Sequence, residues 1–80
     1  MAEPQLHLWI GFLNHEDTGD QLDSLWFVTR YQDRNLAAHE AYLQFKGRHK
    51  YDVTRPMVNV SYQDSAPAKQ AKQLWERWLA

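Results

Sequence analysis

The sequence contains no cysteine, and this absence excludes both a disulfide framework and any zinc site built on thiolates. A domain of 80 residues without such a disulfide or metal cross-link gains only roughly a few kcal/mol of net stability from its core. The aromatic side chains, which include 4 Trp, 4 Tyr and 3 Phe, therefore have a structural use before any functional one. A chain without cysteine also fits a reducing compartment, and we expect a soluble, cytoplasmic protein.

The chain also lacks a long apolar run and an excess of charge of either sign. The apolar stretch within residues 1–13 is far too short to span a bilayer and follows no charged segment, so we expect neither a membrane anchor nor a signal peptide. The nine basic residues stand against ten acidic ones, which gives a net charge of −1. This balance excludes a globally basic nucleic-acid binder.

Motifs for catalysis and cofactor binding are missing as well. The sequence has no Gly-rich phosphate loop and no serine in a nucleophile elbow. His39-Glu40 begins like the zinc-binding helix motif of metalloproteases, but Leu43 stands where that motif has its second histidine. We therefore predict that the protein is not an enzyme and holds no cofactor or metal.

A short basic cluster contains the residue types that small ribonucleases use for acid–base catalysis and phosphate stabilisation. Its members are Arg48, His49, Lys50, Tyr51 and Arg55. Adjacency in sequence fixes no catalytic geometry, and a solvated turn explains the cluster equally simply, so we assign it no catalytic role.

Hydrophobic periodicity predicts three strands and two helices in one compact domain over residues 1–80. A period of two marks strands at residues 6–13, 25–31 and 57–62. The period changes after Asp33 or Asn35, either of which can cap a helix. That helix is predicted to end at Lys46, with Gly47 as the left-handed residue beyond it.

The second helix is predicted to begin at Asp64 or Ser65, with Pro67 in its first turn. Its apolar stripe contains Trp75 and Trp78, which we interpret as residues that cover the core. The order β-β-α-β-α predicts a small α+β fold. Strand 1, the most apolar, is expected at the centre of a three-stranded sheet, with both helices on one face.

Strand alternation divides the predicted sheet into two faces. The face expected under the helices carries Leu6, Leu8, Ile10, Phe12, Leu25, Phe27, Tyr31, Val58, Val60 and Tyr62. The other face, which no element remains to cover, carries His7, Trp9, Leu13, Trp26, Val28, Arg30, Met57, Asn59 and Ser61. Tryptophan, methionine and arginine are enriched at protein interfaces, so we predict a binding surface dominated by Trp9, Trp26, Arg30 and Met57. A slip of one residue would invert every assignment.

The segment of residues 14–23 is predicted to be a loop, and it is acidic, with no lysine or arginine. Its carboxylates are Glu16, Asp17, Asp20 and Asp23. Together with His15 they could surround a hard cation, but their spacing does not match an EF-hand loop, and a solvated loop explains them better. We predict that they present negative charge to a basic groove of a partner and so speed association.

The preferred hypothesis is a small non-enzymatic module that binds a larger protein or protein complex, as do inhibitors and modulators encoded by phages and mobile elements. A homodimer with a structural role is a second hypothesis. The third is binding of single-stranded nucleic acid, in which bases stack on exposed aromatic rings. Its phosphate-binding residues would be Arg30, Lys46, Arg48 and Lys50. The net charge and the acidic loop make nucleic acid the weaker candidate.

Overall fold

A computed structural model describes residues 5–70 of the chain, together with residues 73 and 76. Its principal elements are β1 (Gln5–Asn14), β2 (Gln21–Thr29), α1 (Arg34–Arg48) and β3 (Val58–Pro67). Short 3-10 turns at Arg55–Met57 and Ala68–Gln70 stand before and after β3. The described residues form a small α+β fold.

The three strands form one antiparallel sheet in the order β2-β1-β3, which confirms the prediction that strand 1 is central. Because both outer strands run antiparallel to β1, they are parallel to each other. The connection from β2 to β3 therefore crosses over β1, and it does so through α1.

Helix α1 begins where the sequence predicts. The Asp33 carboxylate caps it by accepting hydrogen bonds from the backbone N–H groups of Asn35 and Leu36, at 2.9 and 3.2 Å. The prediction that Gly47 ends the helix in a left-handed conformation is wrong, because the helix continues through Gly47 to Arg48. The side chains of Arg48 and His49 bond to β2, and these tertiary contacts hold the last turn in place.

The core lies between α1 and one face of the sheet. Ala37, Ala41 and Phe45 of α1 are fully buried there. The two alanines let the helix approach β1 so closely that a Cβ on Gly11 would lie 3.1 Å from the Cβ of Ala41. The sheet and the 3-10 turn region add Trp9, Leu13, Leu25, Phe27, Val53, Met57 and Val60 to this core.

The faces predicted for β1 are inverted in the structure. Leu6, Leu8, Ile10 and Phe12 were expected under the helices, but Trp9, Gly11 and Leu13 face α1 instead. The reason is that only a small residue at the centre of β1 leaves room for α1. The face assignment is correct for Leu25 and Phe27 of β2 and for Val58 and Val60 of β3.

Tyr31 and Tyr62 were predicted under the helices, but both are exposed, by 65% and 38%. Tyr31 follows the end of β2 and no longer belongs to the sheet. Tyr62 lies on the helix side, where its ring contacts Trp9 edge-on with 5.1 Å between centroids.

The predicted start of the second helix is wrong, because β3 continues through Asp64 and Ser65 to Pro67. Gln63 is inserted as a bulge, and the Asp64 carboxylate accepts the Ser65 N–H at 2.8 Å within the strand. Pro67 is tolerated because a proline at the end of an edge strand needs no ladder hydrogen bond.

Gln73 and Glu76 are helical. The other predictions for the last helix, including the roles of Trp75 and Trp78 and the face on which the helix lies, fall outside the described residues.

Candidate protein interface

Trp9 belongs to the core and not to an exposed surface, which corrects the sequence prediction. The residue is 3% exposed, and its indole N–H donates a hydrogen bond to the Thr29 hydroxyl at 2.8 Å. Its ring is also packed against Tyr62. Trp9 therefore stabilises the fold and offers no area to a partner.

Four more residues predicted on the uncovered face are engaged within the fold. Leu13 and Met57 are buried in the core. The half-buried His7 lies on the same face as Trp9, with its Nδ1 3.2 Å from the Tyr62 hydroxyl. The exposed Asn59 accepts hydrogen bonds from the Arg34 guanidinium at 3.0 Å and the Val60 N–H at 3.1 Å. Leu13 and Met57 are therefore not accessible to a partner, and the side chains of His7 and Asn59 contact other side chains of the fold.

The face of the sheet opposite α1, which we call the open face, has its exposed apolar surface mainly on β2. Trp26 is 40% exposed and lies across from Ile10 of β1, which in turn lies across from the exposed, polar Ser61 of β3. The expectation that nothing covers this face is wrong at the end of the sheet that carries Leu8 and Ala66, which are only 2% and 4% exposed. The accessible apolar surface is therefore centred on Trp26.

The remaining open-face residues complete that surface. Val28, predicted for the interface, is half-buried beside Trp26, and the predicted Arg30 is exposed just past the end of β2. Ile10 and Phe12, which the sequence analysis assigned to the core, are half-buried on the same side. The missed signal was Gly11, whose lack of a side chain marks the face of β1 that α1 approaches.

The outer edge of β2 carries backbone groups that point away from β1. The Ser24 N–H donates to the Asp23 carboxylate at 2.8 Å, and the Ser24 carbonyl accepts from Arg48 at 3.3 Å, so both groups point outwards. Because alternate residues of a strand direct these groups to the same side, those of Trp26 and Val28 also lie on the outer edge. No strand within residues 5–70 pairs with this edge.

The outer edge of β3 is different. The Val60 and Ser65 N–H groups bond to the side chains of Asn59 and Asp64 at 3.1 and 2.8 Å. The bulge at Gln63 interrupts the strand between them, and Pro67 ends it. Side-chain caps, bulges and prolines are devices that prevent an edge from pairing with another chain.

The acidic loop is shorter than predicted and has a defined conformation over residues 15–20. The His15 N–H donates to the Asp20 carbonyl at 2.7 Å, and Gly19 adopts a φ of 76°, which few residues other than glycine tolerate. Glu16 and Asp17 are exposed and line a cleft of about 450 Å³ with Tyr51 and Asp52. Both carboxylates are accessible to solvent.

Asp23, the fourth predicted acidic contact, lies in β2, and its carboxylate is bonded to other side chains of the fold. Its Oδ2 accepts from His49 Nε2 at 2.8 Å and from Arg48 Nη1 at 3.2 Å. Partial burial alone would raise the pKa of the Asp23 carboxyl, but hydrogen bonds from His49 and the Ser24 N–H and the charges of Arg48 and His49 outweigh it and lower the pKa. This side chain joins the end of α1 to the start of β2.

The basic cluster considered for acid–base chemistry is assembled only in part. Arg48 and His49 both bond to Asp23, and His49 lies near Tyr51, with 4.9 Å between ring centroids. Arg55 is directed elsewhere, with its Nη2 2.8 Å from His39 Nδ1.

Three of the four cations predicted to hold phosphates, Lys46, Arg48 and Lys50, lie at the end of α1 or just past it. Arg48 is paired with Asp23 at the start of β2, Lys46 lies 5.6 Å from the centre of the Tyr42 ring, and Lys50 is exposed. Arg30 follows the other end of β2, about 20 Å away at roughly 3.3 Å per residue. Among the described residues these four positions form no continuous cationic track past Trp26.

Among the described residues, no three histidine, aspartate or glutamate side chains form a group able to hold a metal ion. None of the helices described is long and apolar enough to cross a membrane.

Comparison with protein-family models, with curated proteins and with solved structures gives no match.

Proposed function

We propose that the protein is a binding module for another protein chain, and that its contact surface is the β2 side of the open face, centred on Trp26. The observation that carries the proposal is the 40% exposure of Trp26 beside Val28 and Arg30 on a strand whose outer edge is unpaired within residues 5–70. Tryptophan and arginine dominate the binding energy of protein interfaces. The proposal involves no catalytic step.

Charge supports a protein partner over nucleic acid. Glu16 and Asp17 are exposed near the start of β2, where they would repel a phosphate backbone but attract a basic protein surface. Attraction of this kind speeds association more than it raises affinity.

The proposal is tested by photo-cross-linking from a benzophenone amino acid placed at position 26, in lysate of the native host treated with nuclease. We expect a discrete protein adduct that mass spectrometry identifies. Position 61 is the matched control, because Ser61 lies in the same row of the open face but on the other edge strand. An adduct from position 61 and none from position 26 would contradict the proposal.

The nucleic-acid alternative is tested by titrating a fluorescent single-stranded oligonucleotide at low salt. Quenching of tryptophan emission that weakens as salt is added would replace protein binding by nucleic-acid binding as the function of this surface.

A further inference from the structure

We infer that the partner of the β2 edge is a second copy of this chain, and that the two β2 strands pair antiparallel about a two-fold axis at Trp26. This inference rests on the proposed function, because it names the chain that the Trp26 surface binds. The dimer would contain one continuous six-stranded sheet in the order β3-β1-β2-β2-β1-β3.

The first argument is the phase of the hydrogen bonds. Ser24, Trp26 and Val28 direct their backbone groups outwards. A two-fold axis at Trp26 sets Trp26 opposite Trp26 of the second copy and Ser24 opposite its Val28. The outward groups of Trp26 then meet those of Trp26 of the second copy in phase, and the Ser24 groups would exchange their bonds to Asp23 and Arg48 for bonds to Val28 of the second copy. The helix faces of both copies stay on one side of the sheet.

The second argument is charge complementarity. The segment before and at the start of β2 carries Glu16, Asp17 and Asp20, whereas Arg30 follows its end. Arg30 is exposed and forms no ion pair with any described residue. Antiparallel pairing brings the Arg30 end of one strand to the acidic start of the other, so the charges attract at both ends. Parallel pairing would set like charges together.

The third argument is apolar fit. A groove of about 410 Å³ lies beside the end of β2 and is lined in part by Val28, Tyr31 and Leu36. Leu22 is the bulge residue at the start of β2, and antiparallel pairing brings this start to the Arg30 end of the other copy, next to the groove. Leu22 and Tyr31 are 42% and 65% exposed in the single chain, and this contact would cover them together.

The β3 edge explains why a dimer results and not a longer array. In β3 the bulge at Gln63 lies in mid-strand, between the capped N–H groups of Val60 and Ser65. In β2 the bulge at Leu22 and the capped Ser24 lie at the start of the strand and leave Trp26 and Val28 without a side-chain cap among the described residues. Pairing through β2 alone therefore gives a closed pair.

Sedimentation at about 100 µM chain tests the inference, because this concentration far exceeds the micromolar dissociation constant expected of a small interface. We expect a dimer for the wild type and for Ser61→Lys, and a monomer for Trp26→Lys. The two lysines occupy one row of the sheet on opposite edges, so Ser61→Lys controls for a charge added to the open face.

Cross-linking tests the register while Trp26 stays intact, which covers the case in which Trp26→Lys fails to fold. The chain contains no cysteine, so single cysteines can be introduced cleanly. We expect mild oxidation to join Ser24→Cys to Val28→Cys when the two variants are mixed, since paired Cα atoms about 5.5 Å apart suit a disulfide. Each variant alone should stay uncross-linked, because its two copies would be about 13 Å apart along the strands.

A wild-type monomer at this concentration, a dimer that only Ser61→Lys dissociates, or cross-links within each single variant would overturn the inference. A monomer whose position 26 still cross-links to a different protein would overturn the second copy as partner and leave the proposed function standing. A monomer that captures no protein at position 26 would overturn both.

Discussion

Trp9 and Trp26 lie on neighbouring strands of one sheet and face opposite sides of it. Trp9 is 3% exposed, contacts Tyr62 and has its indole N–H satisfied by Thr29. Trp26 is 40% exposed on the open face. The same residue type thus serves the core in one strand and remains available for contact in the next, and composition alone does not tell the two apart.

Truncation of Trp9, on the helix side of the sheet, is expected to lower the free energy of unfolding most. Trp9→Ala removes a buried indole and leaves a cavity between α1 and the sheet, so we expect a loss of about 3–5 kcal/mol in the free energy of unfolding. Urea denaturation followed by circular dichroism measures this loss. Trp9→Phe is the control, because it retains one aromatic ring in the core and should cost less than Trp9→Ala, although it loses the second ring and the bond to Thr29. A loss of under about 1 kcal/mol for Trp9→Ala would mean that the residue is not in the core.

The second prediction concerns the space between β1 and α1. In Gly11→Val the new Cβ would lie 3.1 Å from the Ala41 Cβ, which the helix backbone holds in place, and two further methyl groups would follow. We expect a loss of about 2 kcal/mol from overpacking.

Gly47→Ala is the matched control for that substitution. Gly47 lies inside α1 with no atom within 4 Å of an added Cβ, so alanine should stabilise the helix by about 0.5–1 kcal/mol. Equal effects of the two substitutions on thermal unfolding would show that backbone entropy, and not space, decides both.

Gly11 also explains why the register of β1 could not be predicted. β1 is the central strand, and both of its alternating sets are apolar, with Leu8 and Ile10 on one side and Trp9 and Leu13 on the other. Periodicity therefore does not choose between the faces. The choice is made by close contact with Ala41, which depends on a helix about thirty residues further along the chain.

Strand order and helix start were predictable because they depend on local features. The Asp33 cap satisfies N–H groups two and three residues away, and the apolar content of β1 indicates its central place. The end of β3 was not predictable, because Asp64 and Pro67 suit a helix start and an edge strand equally well. The contact of Asp23 with His49 was not predictable either, because the two residues are 26 positions apart in the sequence.

The third prediction concerns this junction between β2 and α1. Asp23→Asn should cost about 1 kcal/mol at pH 7, because it removes the charge that Arg48 and His49 stabilise. The pKa of Asp23 is lowered in the folded protein, so its contribution is full above the pKa of an unfolded aspartate, about 4, and is lost as the pH falls through the folded value. The difference between variant and wild type should therefore disappear in strong acid.

Urea denaturation of Asp23→Asn and wild type at a series of pH values measures how their stability difference depends on pH. Asp17→Asn is the control, since Asp17 is an exposed loop carboxylate without an ion pair among the described residues. A constant difference between Asp23→Asn and wild type from pH 7 to pH 2 would mean that packing and not charge accounts for the loss.

A loss well below that of Trp9→Ala is expected from Trp26→Ala, which completes the comparison of the two tryptophans. Trp26 is 40% exposed in the single chain, so truncation removes a partly buried indole and should cost about 1 kcal/mol when unfolding is measured at high dilution. At high chain concentration the cost should grow, because a folded dimer is stabilised by mass action and the variant loses that contribution. Trp9→Ala should show no such growth beyond its large intrinsic loss. Unfolding curves at two concentrations a hundredfold apart therefore separate a residue that stabilises the fold from one that stabilises an association, and identical curves for Trp26→Ala and wild type at both would remove Trp26 from either role.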